Sequence, residues 1–80
     1  MKQKIFNYTA VFNKEPEGGY TVTVPSLPGC VTYGDNLEAA NKMILEAIQL
    51  YIESLKAHNE DIPRELDTFY KQVSVISSNA

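Results

Sequence analysis

The sequence predicts one α+β domain, residues 1–80, with the element order β-β-β-α-β. Apolar and polar residues alternate in three stretches of the first half, which is the period-two pattern of strands. Residues 37–57 carry apolar side chains at three- and four-residue spacing, with no proline or glycine, which indicates one long helix. A last alternating stretch follows, and 80 residues leave room for a single core.

The first two strands are predicted to form a hairpin. Ile5–Asn13 alternates, with aromatic and apolar residues on one face, and Tyr20–Val24 alternates in the same way. Between them, Pro16 and the pair Gly18-Gly19 favour a turn, because proline fixes φ and glycine accepts a positive φ. Pro25 ends the second strand, since it has no backbone N–H to donate to a ladder.

A proline-glycine corner follows the hairpin. The segment after Pro25 cannot continue the ladder, and we expect the apolar Leu27 to fold back against the sheet. Pro28-Gly29 then reverses the chain, so that Cys30–Tyr33 forms a short third strand. The three strands complete an antiparallel meander.

The predicted helix begins after Gly34-Asp35. We expect Asp35 to be the N-cap, with Glu38 three residues later completing a capping box. One side of the helix is apolar and is expected to pack on the sheet; it carries Leu37, Ala40, Ile44, Ala47, Ile48, Tyr51 and Leu55.

Gln72–Ser77 is predicted as the fourth strand. A right-handed crossover through the helix would deliver it beside the first strand and parallel to it, giving the sheet order 3-2-1-4 with the helix on one face. The opposite face mixes apolar and polar residues, which makes it a candidate protein-binding or dimer surface. The candidate partner contacts are the residues of this face and two acids of the hairpin turn, namely Ile5, Val11, Thr21, Thr23, Glu15 and Glu17.

The charge balance argues against direct nucleic-acid binding. Seven Lys and Arg against ten Asp and Glu residues give a net charge of −3, whereas phosphate binding needs a concentrated basic face. An acidic surface suits a basic protein partner, although the same acidity also serves simple solubility. The sequence has no membrane-spanning apolar run, and a single cysteine without an apolar N-terminal stretch predicts a cytoplasmic protein.

The residues needed for catalysis are missing or occur singly, so we expect no enzyme activity, no metal and no cofactor. Cys30 and His58 are the only residues of their types, so one chain can build neither a disulfide nor a Cys/His zinc cluster. The element order is also the opening layout of ribonuclease H-like nucleases, which hold metal ions with acidic residues on the sheet. The predicted strands carry no acid, and Glu46 fits a solvated helix face, so a residual nuclease is disfavoured.

Several motifs occur in a fixed order between residues 19 and 63. On these motifs the run resembles the N-terminal domain of the HicB-like antitoxin family. The motif residues are Gly19-Tyr20, then Pro25-x-Leu27-Pro28-Gly29-Cys30, then Gly34-Asp35-x-Leu37-Glu38-x-Ala40, and Ile62-Pro63 after the helix. Their types indicate turns, a rigid corner and packing positions, so we expect structural roles for them.

The resemblance implies a partly degraded ribonuclease H-like fold and a non-catalytic function. Antitoxins of this kind bind and mask a small basic mRNA-cleaving toxin, HicA-like, with a double-stranded-RNA-binding-like fold. Longer members carry a C-terminal DNA-binding domain, and no such domain is expected in these 80 residues. The alternative is a homo-oligomeric structural or regulatory domain without a toxin. We expect a homo-oligomer because so small a core often needs a partner.

Overall fold

The computed structural model describes residues 5–66 and 69–78, so the ends of the predicted 1–80 domain lie outside the described residues. Its elements are β1 (Val11–Lys14), β2 (Tyr20–Thr23), β3 (Val31–Gly34) and α1 (Leu37–Ala57). The strands form one antiparallel sheet in the order β1-β2-β3, and the helix packs on one face of it. The predicted α+β class, meander and helix bounds are confirmed.

β1 begins six residues later than the sequence predicts. Its register with β2 pairs Val11 with Thr23 and Lys14 with Tyr20, and continuing that register would place Thr9 opposite Pro25. Proline has no N–H to donate, and the chain turns away after it. The ladder therefore ends where β2 loses its capacity to pair, although alternation continues in the sequence of residues 5–10.

The corner between β2 and β3 closes around Leu27. Leu27 N–H donates to Val24 O at 2.9 Å, Cys30 N–H to Leu27 O at 2.9 Å, and Val24 N–H to Cys30 O at 3.2 Å. The Leu27 side chain has no exposed surface, which confirms that it packs against the sheet. Gly29 has a φ of +84°, a left-handed conformation that side-chain-bearing residues resist.

The helix is capped one residue later than predicted. Asn36 has extended backbone (φ −149°, ψ 175°), and its Oδ1 accepts the N–H of Ala39 at 2.7 Å. The expectation that Asp35 is the N-cap is wrong, because the capping side chain must belong to the residue next to the first helical one, Leu37. Within the described ranges, no helix combines the length and apolarity that a membrane span requires.

The core lies between the helix and the corner side of the sheet. Its buried side chains are Val22, Val24, Leu27, Cys30, Ala40 and Ile44. Side chains of β1, of the segment before it and of the middle of the helix pack around this cluster, namely Phe12, Tyr8, Ala47, Ile48 and Tyr51. Leu37, predicted on the packed side, is 55% exposed because it lies at the first position of the helix.

No fourth strand is present among the described residues. Residues 72–77, which the alternation predicts as a strand parallel to the first, belong to no ladder, so the observed order is β1-β2-β3 and not 3-2-1-4. Val73, Val75 and Ile76 are 71%, 85% and 95% exposed. In a single copy this segment thus gains little packing to offset the entropy lost when a strand is ordered.

Gly34 permits the close packing of β3 against the helix. A Cβ atom built on Gly34 would lie 2.8 Å from Ala40 Cβ and closer still to the Ala40 backbone. Because a helix backbone cannot yield as a flexible side chain does, any residue larger than glycine would push the helix off the sheet.

We expect Gly34→Ala to lower the free energy of unfolding by about 3 kcal/mol, the upper part of the usual range for overpacking. Gly29→Ala is the matched control: open space surrounds Gly29, so only its positive φ is penalised, by about 1 kcal/mol. Urea unfolding followed by helical circular dichroism measures both. If Gly34→Ala proves as stable as Gly29→Ala, the close approach of β3 and helix is not as described.

Candidate partner-binding surface

Residues 5–66 and 69–78 leave the sheet face away from the helix uncovered. Two cross-strand rows form it, because Val11 and Val31 both pair with Thr23, and Asn13 and Tyr33 both pair with Thr21. We call this surface the open face; it consists of Val11, Asn13, Thr21, Thr23, Val31 and Tyr33.

The open face carries no charged side chain. One row presents the methyl groups of Val11, Thr23 and Val31, and Val31 is 55% exposed. The other row ends in Tyr33, 49% exposed. A flat patch of β-branched residues and a tyrosine is typical of a surface that binds protein, since it offers apolar area and hydrogen-bonding groups at low entropic cost.

An acidic turn adjoins the open face at the β1–β2 hairpin. Glu15 N–H donates to Gly19 O at 2.9 Å and closes the turn. The Glu15 carboxylate accepts the Thr21 hydroxyl at 2.8 Å, and the Tyr33 hydroxyl donates to Gly18 O at 3.0 Å. These contacts hold the turn against the open face. Glu17 is exposed at its tip.

Five of the six predicted partner contacts are thereby brought together: three on the open face and two in the acidic turn. Ile5 is not among them. It is 82% exposed, outside the ladder, and lines a shallow groove with Arg64 and Leu66. In that groove the Arg64 guanidinium lies 5.2 Å from the centre of the Phe6 ring, a cation–π contact.

Glu65 fixes the chain after the helix to the end of the hairpin, a contact that the sequence patterns did not reveal. Its carboxylate accepts the Thr9 N–H at 2.9 Å, the Thr9 hydroxyl, and the Ser26 hydroxyl at 2.8 Å. Because the β1–β2 register would place Thr9 opposite Pro25, the carboxylate serves as the acceptor that a continued ladder would have supplied.

The hydrogen bonds at Glu65 favour its charged form. The Thr9 hydroxyl, the Thr9 N–H and the Ser26 hydroxyl together hold the pKa of the Glu65 carboxyl below its usual range. Next to it, burial raises the pKa of Tyr8 despite the nearby Arg64. The phenol therefore stays protonated, and it donates to Pro63 O at 2.5 Å.

The residues of the sequence motifs lie in strand pairs, turns and packing contacts. Tyr20 pairs with Gly34 across β2 and β3, the Tyr33 ring packs over Gly19, and Tyr51 donates to Pro28 O at 2.8 Å. Asp35 is exposed, directly before the cap. These positions set turns and packing.

Cys30 is buried in the core, 4% exposed. Burial raises the pKa of its thiol, which keeps the thiolate scarce at neutral pH and indicates a packing role rather than a reactive one. Among residues 5–66 and 69–78, no three His, Cys, Asp or Glu side chains are placed to hold one metal ion.

The sequence that forms this corner, helix and open face matches a known protein family. The sequence model of the HicB_like antitoxin of bacterial toxin-antitoxin system matches residues 8–75. The chain belongs to this family. Membership indicates a role in a toxin-antitoxin system and favours a binding protein over an enzyme.

Individual relatives agree with this assignment. The UPF0150 protein ssr1765 of Synechocystis is 45% identical over 74 residues, which are 92% of this chain and 92% of that protein. The UPF0150 protein Ta0767 of Thermoplasma acidophilum is 53% identical over 58 residues, or 72% of this chain and 84% of that protein. Antitoxin HicB 1 of Photorhabdus laumondii is 37% identical over 60 residues, covering 75% of this chain and 39% of that protein.

We expect Glu65 to give this HicB-like chain a distinct pH dependence. Since the folded-state pKa lies below the unfolded value of about 4.3, the stabilisation is complete above that value and is lost as the pH falls through the folded pKa. Glu65→Gln should lower the free energy of unfolding at pH 7. The decline of that free energy below about pH 4.3 should be shallower in the variant than in the wild type.

Urea unfolding at a series of pH values between neutrality and acid measures this effect. Glu46→Gln is the matched control, because it removes the same charge at an exposed position on the helix. It should leave the decline of stability at acid pH unchanged. Superimposable pH profiles for wild type and Glu65→Gln would show that the carboxylate is not held by Thr9 and Ser26 as described.

Proposed function

We propose that this antitoxin binds a small basic toxin through the open face and the acidic turn, and inactivates it by covering its working surface. The observation that carries the proposal is the juxtaposition of an uncharged sheet face with Glu15 and Glu17 at its border. An apolar centre with a charged rim is the usual anatomy of a specific protein interface.

The acidic turn supplies the negative charge of the proposed interface. A basic partner is attracted to the net charge of −3, and the rim acids would orient it as it approaches. Glu15 is partly engaged with Thr21, so it also keeps the turn in shape, whereas Glu17 is exposed at the tip. Glu17 is therefore the acid better placed to contact a partner directly.

The proposed partner is HicA-like, an mRNA-cleaving toxin of the type that HicB-like antitoxins mask, and the proposed site of action is the cytoplasm. Inhibition would be by occlusion, with no chemical step on the antitoxin and no direct contact with nucleic acid. We also propose a partly degraded ribonuclease H-like fold. The three strands of the meander and the helix would be the first four elements of that fold.

The test is co-expression with a small basic, HicA-like protein, for which a gene adjacent to that of this chain is the first candidate. We expect a stable complex at micromolar concentration that suppresses RNA cleavage by the toxin. Glu17→Lys should weaken it by about tenfold in Kd at low salt, equivalent to about 1.4 kcal/mol, and by less as salt screens the charge.

The matched control is Glu53→Lys, the same charge reversal on the exposed side of the helix. It should change the affinity much less, because it lies outside the proposed interface. Equal weakening by the two variants would refute the proposed surface. Failure to form any complex would refute the toxin-binding function and favour the homo-oligomeric alternative.

A further inference from the structure

The C-terminal segment leaves its apolar side chains uncovered. We call residues 69–78 the C-terminal arm. Phe69, Val73, Val75 and Ile76 are 84%, 71%, 85% and 95% exposed. Proteins that remain monomeric rarely expose so many large apolar side chains in so short a segment. The arm therefore has the apolar composition of a buried strand, but its side chains are exposed in a single copy.

The outer edge of β1 is also unoccupied among the described residues. β1 has β2 as its one neighbour in the sheet. Because Glu15 bonds to Gly19 across the hairpin, alternation turns the backbone groups of Asn13 and Val11 toward β2 and those of Phe12 and Lys14 outward. Such an edge is a ready template for another strand.

The arm has the sequence of a strand that fits this edge. Residues 72–77 alternate, with Val73 and Val75 on one side and Ile76 on the other. Beside β1, one side would continue the apolar face around Phe12, which packs on the core. The other side would extend the open face beyond Val11. The apolar side chains on both sides of the arm would then pack beside residues of the sheet.

The arm does not lie on the β1 edge of its own chain. The sheet holds β1, β2 and β3 and no residue of the arm, although Glu65, four residues before the arm, bonds to Thr9 and Ser26. The chain measures 58 × 31 × 21 Å, whereas the helix of 21 residues accounts for about 31 Å of length. Its radius of gyration is 15.9 Å, against about 12 Å for a compact domain of this size. The chain thus reaches beyond its own compact body.

We propose that residues 72–77 of one copy pair with the outer edge of β1 in a second copy, and that the exchange is reciprocal. A two-fold exchange occupies both arms and both edges at once, so it closes as a dimer and leaves no edge for further growth. The fourth strand that the sequence pattern predicts is then supplied by the partner copy. This assembly does not depend on toxin binding.

The first test is the mass of the full chain in solution. Light scattering and sedimentation should give a dimer, twice the 9.0 kDa of one copy. The double variant Val73→Lys/Val75→Lys should raise the dimer Kd at least about hundredfold, since it would bury two charges. Its helical circular dichroism should be unchanged, because both positions are exposed in one copy.

Asn41→Lys/Gln49→Lys is the matched control, adding the same charge at exposed helix positions; it should remain dimeric. A wild-type chain that stays monomeric up to about 0.5 mM, many times the micromolar Kd of a modest complex, overturns the proposal. So does a dimer that the arm variant leaves intact, because the interface would then lie elsewhere.

Cross-linking locates the arm directly. Val75→Cys and Asn13→Cys chains are mixed and treated with a short bis-maleimide, and we expect a covalent dimer containing one chain of each kind. Val75→Cys mixed with Glu53→Cys should give none, and wild type treated with the same reagent measures the background from the buried Cys30. If the double variant Asn13→Cys/Val75→Cys forms only an internally linked monomer, the arm pairs with its own chain and the proposal is wrong.

Discussion

Leu27 is fully buried where β2 gives way to β3, and three backbone hydrogen bonds among Val24, Leu27 and Cys30 close the chain around it. Pro25 and Pro28 lie within this closure, and Gly29 supplies the left-handed residue that lets the chain reverse. An apolar side chain enclosed by its own turn orients both adjoining strands. The meander, and with it the small core, depends on this closure.

The corner also determines where the helix lies. Tyr51 donates to Pro28 O, and the absence of a side chain at Gly34 brings β3 into close contact with Ala40. The described residues form one helix, which covers one face of the sheet and leaves the opposite face uncovered. The open face is the consequence, because a sheet with a single layer of cover leaves its other face exposed.

The return of the chain after the helix shows how a small domain completes its backbone hydrogen bonding with a side chain. Pro25 ends β2, so the ladder does not continue to Thr9, and the Glu65 carboxylate accepts the Thr9 N–H and the Ser26 hydroxyl instead. The same contact holds the chain four residues before the C-terminal arm begins. The arm and the outer edge of β1 are complementary. The arm has the sequence of an apolar strand without a neighbour, and the described residues leave the outer edge of β1 without a paired strand.

Local chemistry in the sequence determined the element order through the helix, the buried position of Leu27, the bounds 37–57 and the family. These depend on neighbours within a few residues, where proline, glycine and periodicity act directly. Tertiary structure alone decided that β1 starts at Val11, that Glu65 binds Thr9, and that residues 72–77 stay outside the sheet. Each of these depends on what lies across a ladder or across some 56 residues of chain, and alternation in one segment cannot specify whether a partner edge is within its reach.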